Sequence, residues 1–272
     1  MMLLDRPASD TQVTHGRRLW LYAVSALIMI FLVAPTLIVV PMSFSDSVYL
    51  DFPPKNWSLR WYETYFSSVV WREATYMSIK TAILTVLVAT PLGTAAAYGL
   101  HVAEFRLKPL IYVTLAVPMI VPLILVGIGA FFLFARLDLL NTLPGLVLAH
   151  SCLAIPFVII SVAAGLRSYD MNQELVARSL GASRLRAFLT VTLPQIRFSI
   201  VSGMLFAFIT SFDEVIVALF IAGGESATIT RRMFTALRDQ IEPTIAAIST
   251  CLVLLSVVLL VTAQIVGGRK RS

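Results

Sequence analysis

Six apolar segments, each of roughly 20 residues or more, occupy most of this sequence and restrict its fold more than any other feature. They cover residues 19–42, 76–100, 109–135, 143–166, 198–222 and 243–266. A helix needs roughly 20 mainly apolar residues to cross a bilayer. Only 13% of the 272 residues are charged, whereas soluble domains carry about 25%. The pattern predicts an all-α, polytopic membrane protein with six transmembrane helices.

Positive charge is distributed unequally between the segments that connect these helices. If the N-terminus lies inside, thirteen of the 21 Lys and Arg residues fall on the inside and seven on the outside. Cationic residues favour cytoplasmic loops, so both termini and the segment 167–196 are expected in the cytoplasm. The net charge of +6 therefore indicates membrane orientation rather than nucleic-acid binding. The expected parts are a tail (1–18), a transmembrane domain (19–266) and a second tail (267–272).

An aromatic segment follows the first apolar one. Ser58 suits the N-cap of a helix, and Trp57, Trp61 and Tyr65 recur at four-residue spacing. Amphipathic rings in this pattern predict a helix that lies at the membrane interface. The alternative is an aromatic cage for a cationic substrate.

The segment from Glu174 to Gln195, ELVARSLGASRLRAFLTVTLPQ, is polar and basic although it lies between two apolar segments. Its first part favours a helix in which Val176 and Leu180 share a face. Gly181 follows at the point where a helix ends in a left-handed residue. A first short helix is therefore expected to stop at this glycine.

A second short helix is expected directly after it. Ser183 can cap this helix, and Leu185, Phe188 and Leu189 are expected to form its apolar face. Pro194 suits the first turn of a further helix, where its missing N–H costs nothing. The two short helices would meet at a sharp angle, and their apolar face has no core of its own to fill. Such a surface predicts a partner.

This segment resembles the cytoplasmic signature loop of ABC-importer permeases, E-A-A-x3-G-x9-I-x-L-P. The residues that match at the right spacing are Ala177, Gly181, Leu193 and Pro194. Leu175 occupies the glutamate position of the motif, and Glu174, one residue earlier, is the alternative carrier of that glutamate's contact. In that family the loop forms a coupling helix that docks on an ATP-binding subunit. The resemblance implies ATPase-coupling roles for Glu174, Ala177, Leu180, Gly181, Ala182, Ser183, Arg184, Phe188, Leu193 and Pro194.

Four further stretches extend the resemblance to roughly residues 20–266. They are FPPKNWSLRWYETYF, LGTAAAYGL, SFDEVIVALFI and RRMFTALRDQIEPTIAAIST, and they are similar to the second permease of spermidine/putrescine-type importers. The resemblance implies the type I ABC importer permease fold in a bacterial inner membrane. It also implies a second, homologous permease subunit, two ATP-binding subunits that bind ATP and Mg, and an extracytoplasmic substrate-binding protein. The implied substrate is a polyamine or a related small amine or organic ion.

Two acids, Asp213 and Glu214, lie well inside the fifth apolar segment, where a charge costs roughly 2.5–3.5 kcal/mol at the bilayer centre. One interpretation places them in a substrate path or gate, with Thr210 and Ser211 adding polar lining. The other assigns them to contacts between helices, or to a pair with Lys80. Neighbouring residues on a helix point about 100° apart, so only one acid is expected to face a central path.

No catalytic motif accompanies these features. A P-loop needs glycine directly before its lysine. The four lysines, none of which follows a glycine, are Lys55, Lys80, Lys108 and Lys270. The chain is therefore expected to be a non-catalytic subunit without a cofactor of its own, whose partners hydrolyse ATP.

Two functions compete on the sequence. The main hypothesis is a permease subunit driven through the segment 174–194. The alternative is an ion-coupled secondary transporter that uses Asp213 and Glu214 as ion sites. Such transporters often contain inverted repeats, and this sequence shows no corresponding second half. The alternative would also leave the basic helical hairpin unexplained.

Overall fold

In this computed structural model, residues 15–239 and 242–268 are described, and they form helices and connecting loops with one isolated bridge between Ser45 and Trp57. In chain order the α-helices are α1 (Leu19–Ser43), α2 (Arg60–Ser67), α3 (Val69–Val102), α4 (Lys108–Ile120), α5 (Leu123–Arg136), α6 (Leu143–Arg167), α7 (Asn172–Ser179), α8 (Arg184–Ala187), α9 (Leu193–Gln195), α10 (Arg197–Asp213), α11 (Ile216–Ile221), α12 (Ile229–Asp239) and α13 (Thr244–Gly268). A π-helical stretch, Phe188–Thr192, joins α8 to α9. The expected all-α class is confirmed.

Length and apolarity identify the helices that can cross a bilayer. Helices α1, α3 and α6 each pass alone, and two bent pairs raise the number to as many as five among the described residues. One pair is α4 with α5, bent by 99°, and the other is Arg184–Gln195 with α10, bent by 79°. Helix α13 is apolar over Thr244–Val258 and coincides with the sixth apolar segment of the sequence.

Two of the expected spans are not continuous helices. The segment 109–135 divides into α4 and α5 at Val121, whose backbone is extended. Pro122 explains this break, because a proline disfavours the helical conformation of the residue before it. The segment 198–222 divides into α10 and α11 at Glu214, whose backbone is also extended. No proline or glycine marks that second break.

The chain divides into two compact units, of which the first is Met1–Tyr65 with Ile241–Ser272. Within its described part, α1 packs against α13. The loop after α1 folds back, so that the Ser43 and Tyr62 hydroxyls lie 2.7 Å apart. Trp61 donates its indole N–H to the Ser47 carbonyl at 3.2 Å. The aromatic segment is thus fixed by polar contacts at the end of α1.

The aromatic segment does not form the expected interfacial face. Helix α2 begins at Arg60, so Trp57 precedes it and is 70% exposed. Trp61 and Tyr65 are buried at 6% and 7% exposure. The prediction of a membrane-surface anchor is wrong for these two rings, because they fill the protein interior. Ser58 does accept a hydrogen bond from the Arg60 N–H at 3.1 Å, close to its expected capping position.

The second unit, Phe66–Gln240, is built around the three helices α3, α6 and α10. One tightly packed layer of these helices places Val158 of α6 between two glycines. A Cβ on Gly93 of α3 would lie 2.7 Å from the Val158 Cβ, and a Cβ on Gly203 of α10 would lie 3.3 Å from the Val158 Cα. Small residues at helix interfaces permit such close approach in membrane proteins.

A second apolar cluster of this unit lies around α5, α6 and α11. Its buried residues include Phe134, Leu146, Leu153, Val217, Ala218 and Ile221. Helix α10 contributes Ala207 to a different buried cluster, which it forms with α3 and α6, whereas α11 contributes to the cluster around α5 and α6. The break between α10 and α11 therefore separates two packing neighbourhoods.

Candidate functional site

Glu174, in the first turn of α7, is buried within the chain at 2% exposure. Tyr98, near the end of α3, donates its hydroxyl to Oε1 at 2.5 Å. Thr192, just before α9, donates its hydroxyl to Oε2 at 2.5 Å. Hydrogen bonds to a carboxylate are stronger than those between neutral groups. Residues 168–195, called the connecting segment, join α6 to α10. The Glu174 side chain therefore ties this segment to α3 at one oxygen and to the stretch leading into α10 at the other.

Tyr98 also contacts two residues from the second half of the connecting segment, Arg184 and Phe188. The Phe188 ring packs on the Tyr98 ring with centroids 4.5 Å apart. The Arg184 guanidinium lies 5.7 Å from the same ring centroid, and its Nε donates to the Tyr98 hydroxyl at 3.5 Å. Contacts from α7, α8 and the π-helical stretch thus converge on one residue of α3.

The turn between α7 and α8 has the geometry expected from its sequence. Gly181 has φ +92°, which glycine adopts without steric cost. Its N–H bonds to the Arg178 carbonyl at 3.0 Å, and the Ala182 N–H bonds to the Ala177 carbonyl at 3.1 Å. These two bonds form the Schellman ending of a helix. Ser183 then accepts a hydrogen bond from the Arg186 N–H at 3.3 Å, which confirms its expected cap.

The apolar side chains of this segment separate into an outer and an inner set. Leu180 is 85% exposed and Leu185 is 68% exposed. Phe188 is half-buried against Tyr98, so the expected shared face of Leu185, Phe188 and Leu189 is wrong for its middle member. The remaining candidates are the half-buried Ala177, Ala182 and Leu193 and the exposed Pro194.

A cavity of about 510 Å³ lies beside the two acids of the fifth apolar segment. Its lining comes from the ends of α4, α5 and α11, the middle of α6 and the last turn of α10. Thr210, Asp213 and Glu214 all contribute to it. Asp213 is exposed, whereas Glu214 is buried at 6% exposure. Both acids thus line the cavity, and Asp213 is the more exposed of the two; that only one of them faces a substrate path stays a prediction.

Glu214 has a structural task at the break between α10 and α11. Its carboxylate accepts a hydrogen bond from the Val217 N–H at 2.5 Å, at the start of α11. Its own carbonyl accepts the Thr230 hydroxyl at 3.0 Å, from α12. A helix break inside a membrane requires such substitutes, because unsatisfied backbone groups are costly there. Glu214 and Thr230 thus supply hydrogen-bond partners for two backbone groups at the break, the Val217 N–H and the Glu214 carbonyl.

Ser211 lies outside the residues that line this cavity, which differs from its expected position in the path. It is buried and forms part of a polar layer between three helices. Its hydroxyl lies 2.9 Å from Nδ1 of His150 in α6 and donates to the Thr85 hydroxyl of α3 at 3.2 Å. The sequence gives no sign of this contact, because its three members lie in apolar segments that are far apart along the chain.

Lys80 does not pair with either acid. Its side chain is exposed, and the ammonium lies 5.7 Å from the centroid of the Tyr76 ring, one turn earlier in α3. Glu214 is held by backbone groups instead, and no ion pair is found between Lys80 and Asp213 in the described part of the chain. The alternative in which Lys80 neutralises the acids is therefore wrong.

Comparison with known proteins gives a consistent result. The spermidine/putrescine transport system permease protein PotC of Haemophilus influenzae is 28% identical over 236 residues, which cover 87% of this chain and 91% of that protein. The putrescine transport system permease protein PotI of Escherichia coli is 30% identical over 238 residues, covering 85% and 84%. These relatives are named transport permeases rather than enzymes.

Solved structures show the same fold. The crystal structure of a bacterial ABC transporter involved in the import of the acidic polysaccharide alginate aligns over 96% of this chain and 99% of its own, with a TM-score of 0.69 and 16% identity. A family model described as "binding-protein-dependent transport system inner membrane component" matches residues 89–272. That match covers the helical hairpin and both acids. The chain therefore belongs to the family of binding-protein-dependent transport system inner membrane components.

Proposed function

We propose that this chain is the permease subunit of an ATP-driven importer and that ATP-binding partners act on it through the hairpin of residues 174–194. The observation that carries this proposal is an exposed apolar surface on a segment that is hydrogen-bonded to other parts of the chain. Leu180 and Leu185 are 85% and 68% exposed, while the buried Glu174 of the same segment accepts hydrogen bonds from Tyr98 of α3 and from Thr192, just before α9. A partner that moves the exposed leucines would therefore move the ends of α3 and α10 with them.

Glu174 acts in this proposal as a positioning residue rather than as a docking contact. Its carboxylate is buried, so a partner subunit does not reach it. Leu175, at the glutamate position of the signature motif, is 52% exposed. The surface offered to the partner is therefore apolar where the motif has an acid.

The proposed assembly has two ATP-binding subunits, a second, homologous permease and an extracytoplasmic substrate-binding protein. A solved alginate ABC transporter of similar fold is described in complex with an alginate pentasaccharide-bound periplasmic protein, and this supports the last of these partners. The inner membrane is the location, since the matching family consists of inner membrane components. Both termini and the segment 167–196 face the cytoplasm in this proposal, as the distribution of basic residues favours.

Replacing Gly181 with valine tests the coupling proposal. The backbone at φ +92° is strained for a β-branched residue, whereas open space surrounds the Cβ position. The change should therefore distort the turn without a steric clash. Backbone strain of roughly 1.4 kcal/mol would lower the population of the native turn about tenfold. We therefore expect ATP-driven uptake by the reconstituted transporter to fall at least about tenfold.

Gly181→Asn is the matched control, because asparagine tolerates positive φ better than other non-glycine residues. It should retain most of the uptake. Co-purification of the ATP-binding subunits and their ATP hydrolysis would be measured beside uptake. Equal activity of the valine variant and the wild type would contradict coupling through this turn.

The proposed substrate is a polyamine or a related small cationic amine. Asp213 offers a carboxylate to a cavity that is otherwise largely apolar, and such a site attracts a cation with an apolar backbone. The relatives named for spermidine/putrescine and putrescine transport support this class. Glu214 is occupied at the helix break, which leaves Asp213 as the acid available to substrate.

Asp213→Asn is expected to reduce uptake of radiolabelled putrescine by about tenfold or more, because it removes the one exposed charge of the cavity while keeping its shape. Complex yield should stay near the wild-type level. Asp138→Asn, a change of the same type in the exposed loop after α5, is the control. A parallel loss of yield and uptake would instead assign Asp213 to assembly, and nucleotide-independent uptake driven by an ion gradient would favour a secondary transporter.

A further inference from the structure

A basic cavity of about 200 Å³ lies between α3, α4 and α6, at the end of the unit where residues 168–195 connect to the helices. His101 from the end of α3, Lys108 from the start of α4 and Arg167 from the end of α6 line it together with Tyr112. The other lining residues are apolar, and none of those that line it is acidic. Three separate helix ends thus bring basic groups to one small space.

Helix dipoles account for only two of the three basic residues that line the cavity. A cation is favoured at a helix C-terminus, which suits His101 and Arg167. Lys108 stands at the first residue of α4, where the dipole disfavours a positive charge. A bound anion would offset this unfavourable interaction.

The basic groups of the cavity retain hydrogen-bonding capacity. Lys108 donates one hydrogen bond, from Nζ to the Ala103 carbonyl at 3.2 Å, and an ammonium has three donors. Within residues 15–239 and 242–268, the His101 and Arg167 side chains form no hydrogen bond or ion pair with another residue. The cavity thus offers donors from three side chains to a ligand that carries several acceptors.

A small apolar groove, which encloses about 30 Å³, adjoins this cavity along the same helices. Tyr112 and Ile159 belong to both spaces, and the groove adds Leu115, Ala116, Pro156 and Ile160. From Arg167 to Pro156, α6 advances about 16 Å at 1.5 Å per residue. This length is about half of the 30 Å hydrocarbon core, which is the depth of one leaflet.

We propose that the cavity and groove together bind an anionic glycerophospholipid. Its phosphate would contact Lys108, Arg167 and His101, and one acyl chain would lie along Tyr112, Ala116 and Ile160. Basic pockets between transmembrane helices bind lipid headgroups in this way. The apolar continuation distinguishes a lipid from free phosphate, which would gain nothing from the groove. The site goes beyond the transport function proposed above and does not depend on it.

The test is lipid binding to the purified full-length chain, followed by native mass spectrometry with added phosphatidylglycerol, phosphatidylcholine or inorganic phosphate. The double variant Lys108→Gln with Arg167→Gln should bind phosphatidylglycerol about 30-fold more weakly, since each basic residue contributes a factor of about 5 at an anionic surface. Phosphatidylcholine should bind weakly to both proteins. Inorganic phosphate should not compete with phosphatidylglycerol.

Arg106→Gln with Arg197→Gln is the matched control, because both arginines are exposed and neither lines the cavity. It removes the same total charge and should change binding less than twofold. Ala116→Leu, which fills the groove but leaves every charge, should also weaken phosphatidylglycerol binding. Equal loss in the control variant, equal binding of phosphatidylcholine, or competition by inorganic phosphate would each overturn the proposal.

Discussion

Glu174→Leu is expected to destabilise the chain more than any exposed substitution in the segment 168–195. The change leaves the Tyr98 and Thr192 hydroxyls without their acceptor. The Thr192 hydroxyl is buried and keeps only a long 3.4 Å contact to the Tyr169 hydroxyl, whereas the half-buried Tyr98 hydroxyl can turn to water. A buried hydroxyl that loses its main partner costs about 1–3 kcal/mol, so the free energy of unfolding should fall by about this amount. Unfolding of the purified chain in detergent mixed with increasing sodium dodecyl sulfate measures this change.

Two comparisons isolate the cause of that loss. Leu175→Ala changes the neighbouring residue, which is 52% exposed, and should alter stability by less than about 1 kcal/mol. The triple variant Glu174→Leu, Tyr98→Phe and Thr192→Val removes both hydroxyls together with their acceptor. It should recover part of the stability, because replacing all polar partners by apolar groups is nearly neutral. Wild-type stability of Glu174→Leu alone would refute the buried role.

Gly93→Leu is expected to prevent the native packing of α3, α6 and α10. Even a methyl group at Gly93 would place its Cβ 2.7 Å from the Val158 Cβ and 2.8 Å from Cγ1. Overpacking of a core typically costs about 1–3 kcal/mol, so Gly93→Ala should lose about this amount and the leucine variant more. Yield of monodisperse protein and the denaturation midpoint report the effect.

Gly99→Ala is the internal control, because it lies on the same helix and has open space around its Cβ position. That change should be neutral or stabilising by up to about 1 kcal/mol, the helix-propensity difference between the two residues. Val158→Ala should partly rescue Gly93→Ala, because it removes Cγ1, one of the two Val158 atoms that lie within 3 Å, while the Cβ remains. Identical behaviour of the alanine variants at Gly93 and Gly99 would show that the close contact has no energetic weight.

Local chemistry made much of the connecting segment predictable. Gly181 and Ser183 act through their own backbone and side chain within a few residues, so their sequence positions predict the turn and the cap. The apolar segments are equally easy to recognise in the sequence, since each is long enough to cross a bilayer. The division of the segment 109–135 was not predicted, although the ring of Pro122 gives a local reason for it.

Contacts between distant residues were not predictable in the same way. Glu174 meets Tyr98 across 76 positions of sequence, and Ser211 meets Thr85 across 126. Nothing in the local sequence indicates which single polar residues of different helices face each other. Amphipathic spacing likewise placed Phe188 outward, although the ring turns inward because Tyr98 offers it a packing surface. Trp61 and Tyr65 were predicted to face the membrane surface, and this was wrong because their spacing does not show that other parts of the chain bury them.

The break at Glu214 has a mechanical consequence for the unit. A continuous helix passes a twist along its whole ladder of backbone hydrogen bonds, whereas here the ladder stops between α10 and α11. A twist that reaches α10 continues to α11 through the peptide chain, through the bonds of Glu214 to Val217 and Thr230, and through α6, which both helices contact. The stiffness of this joint therefore depends in part on one carboxylate, one carbonyl and the groups that bond to them.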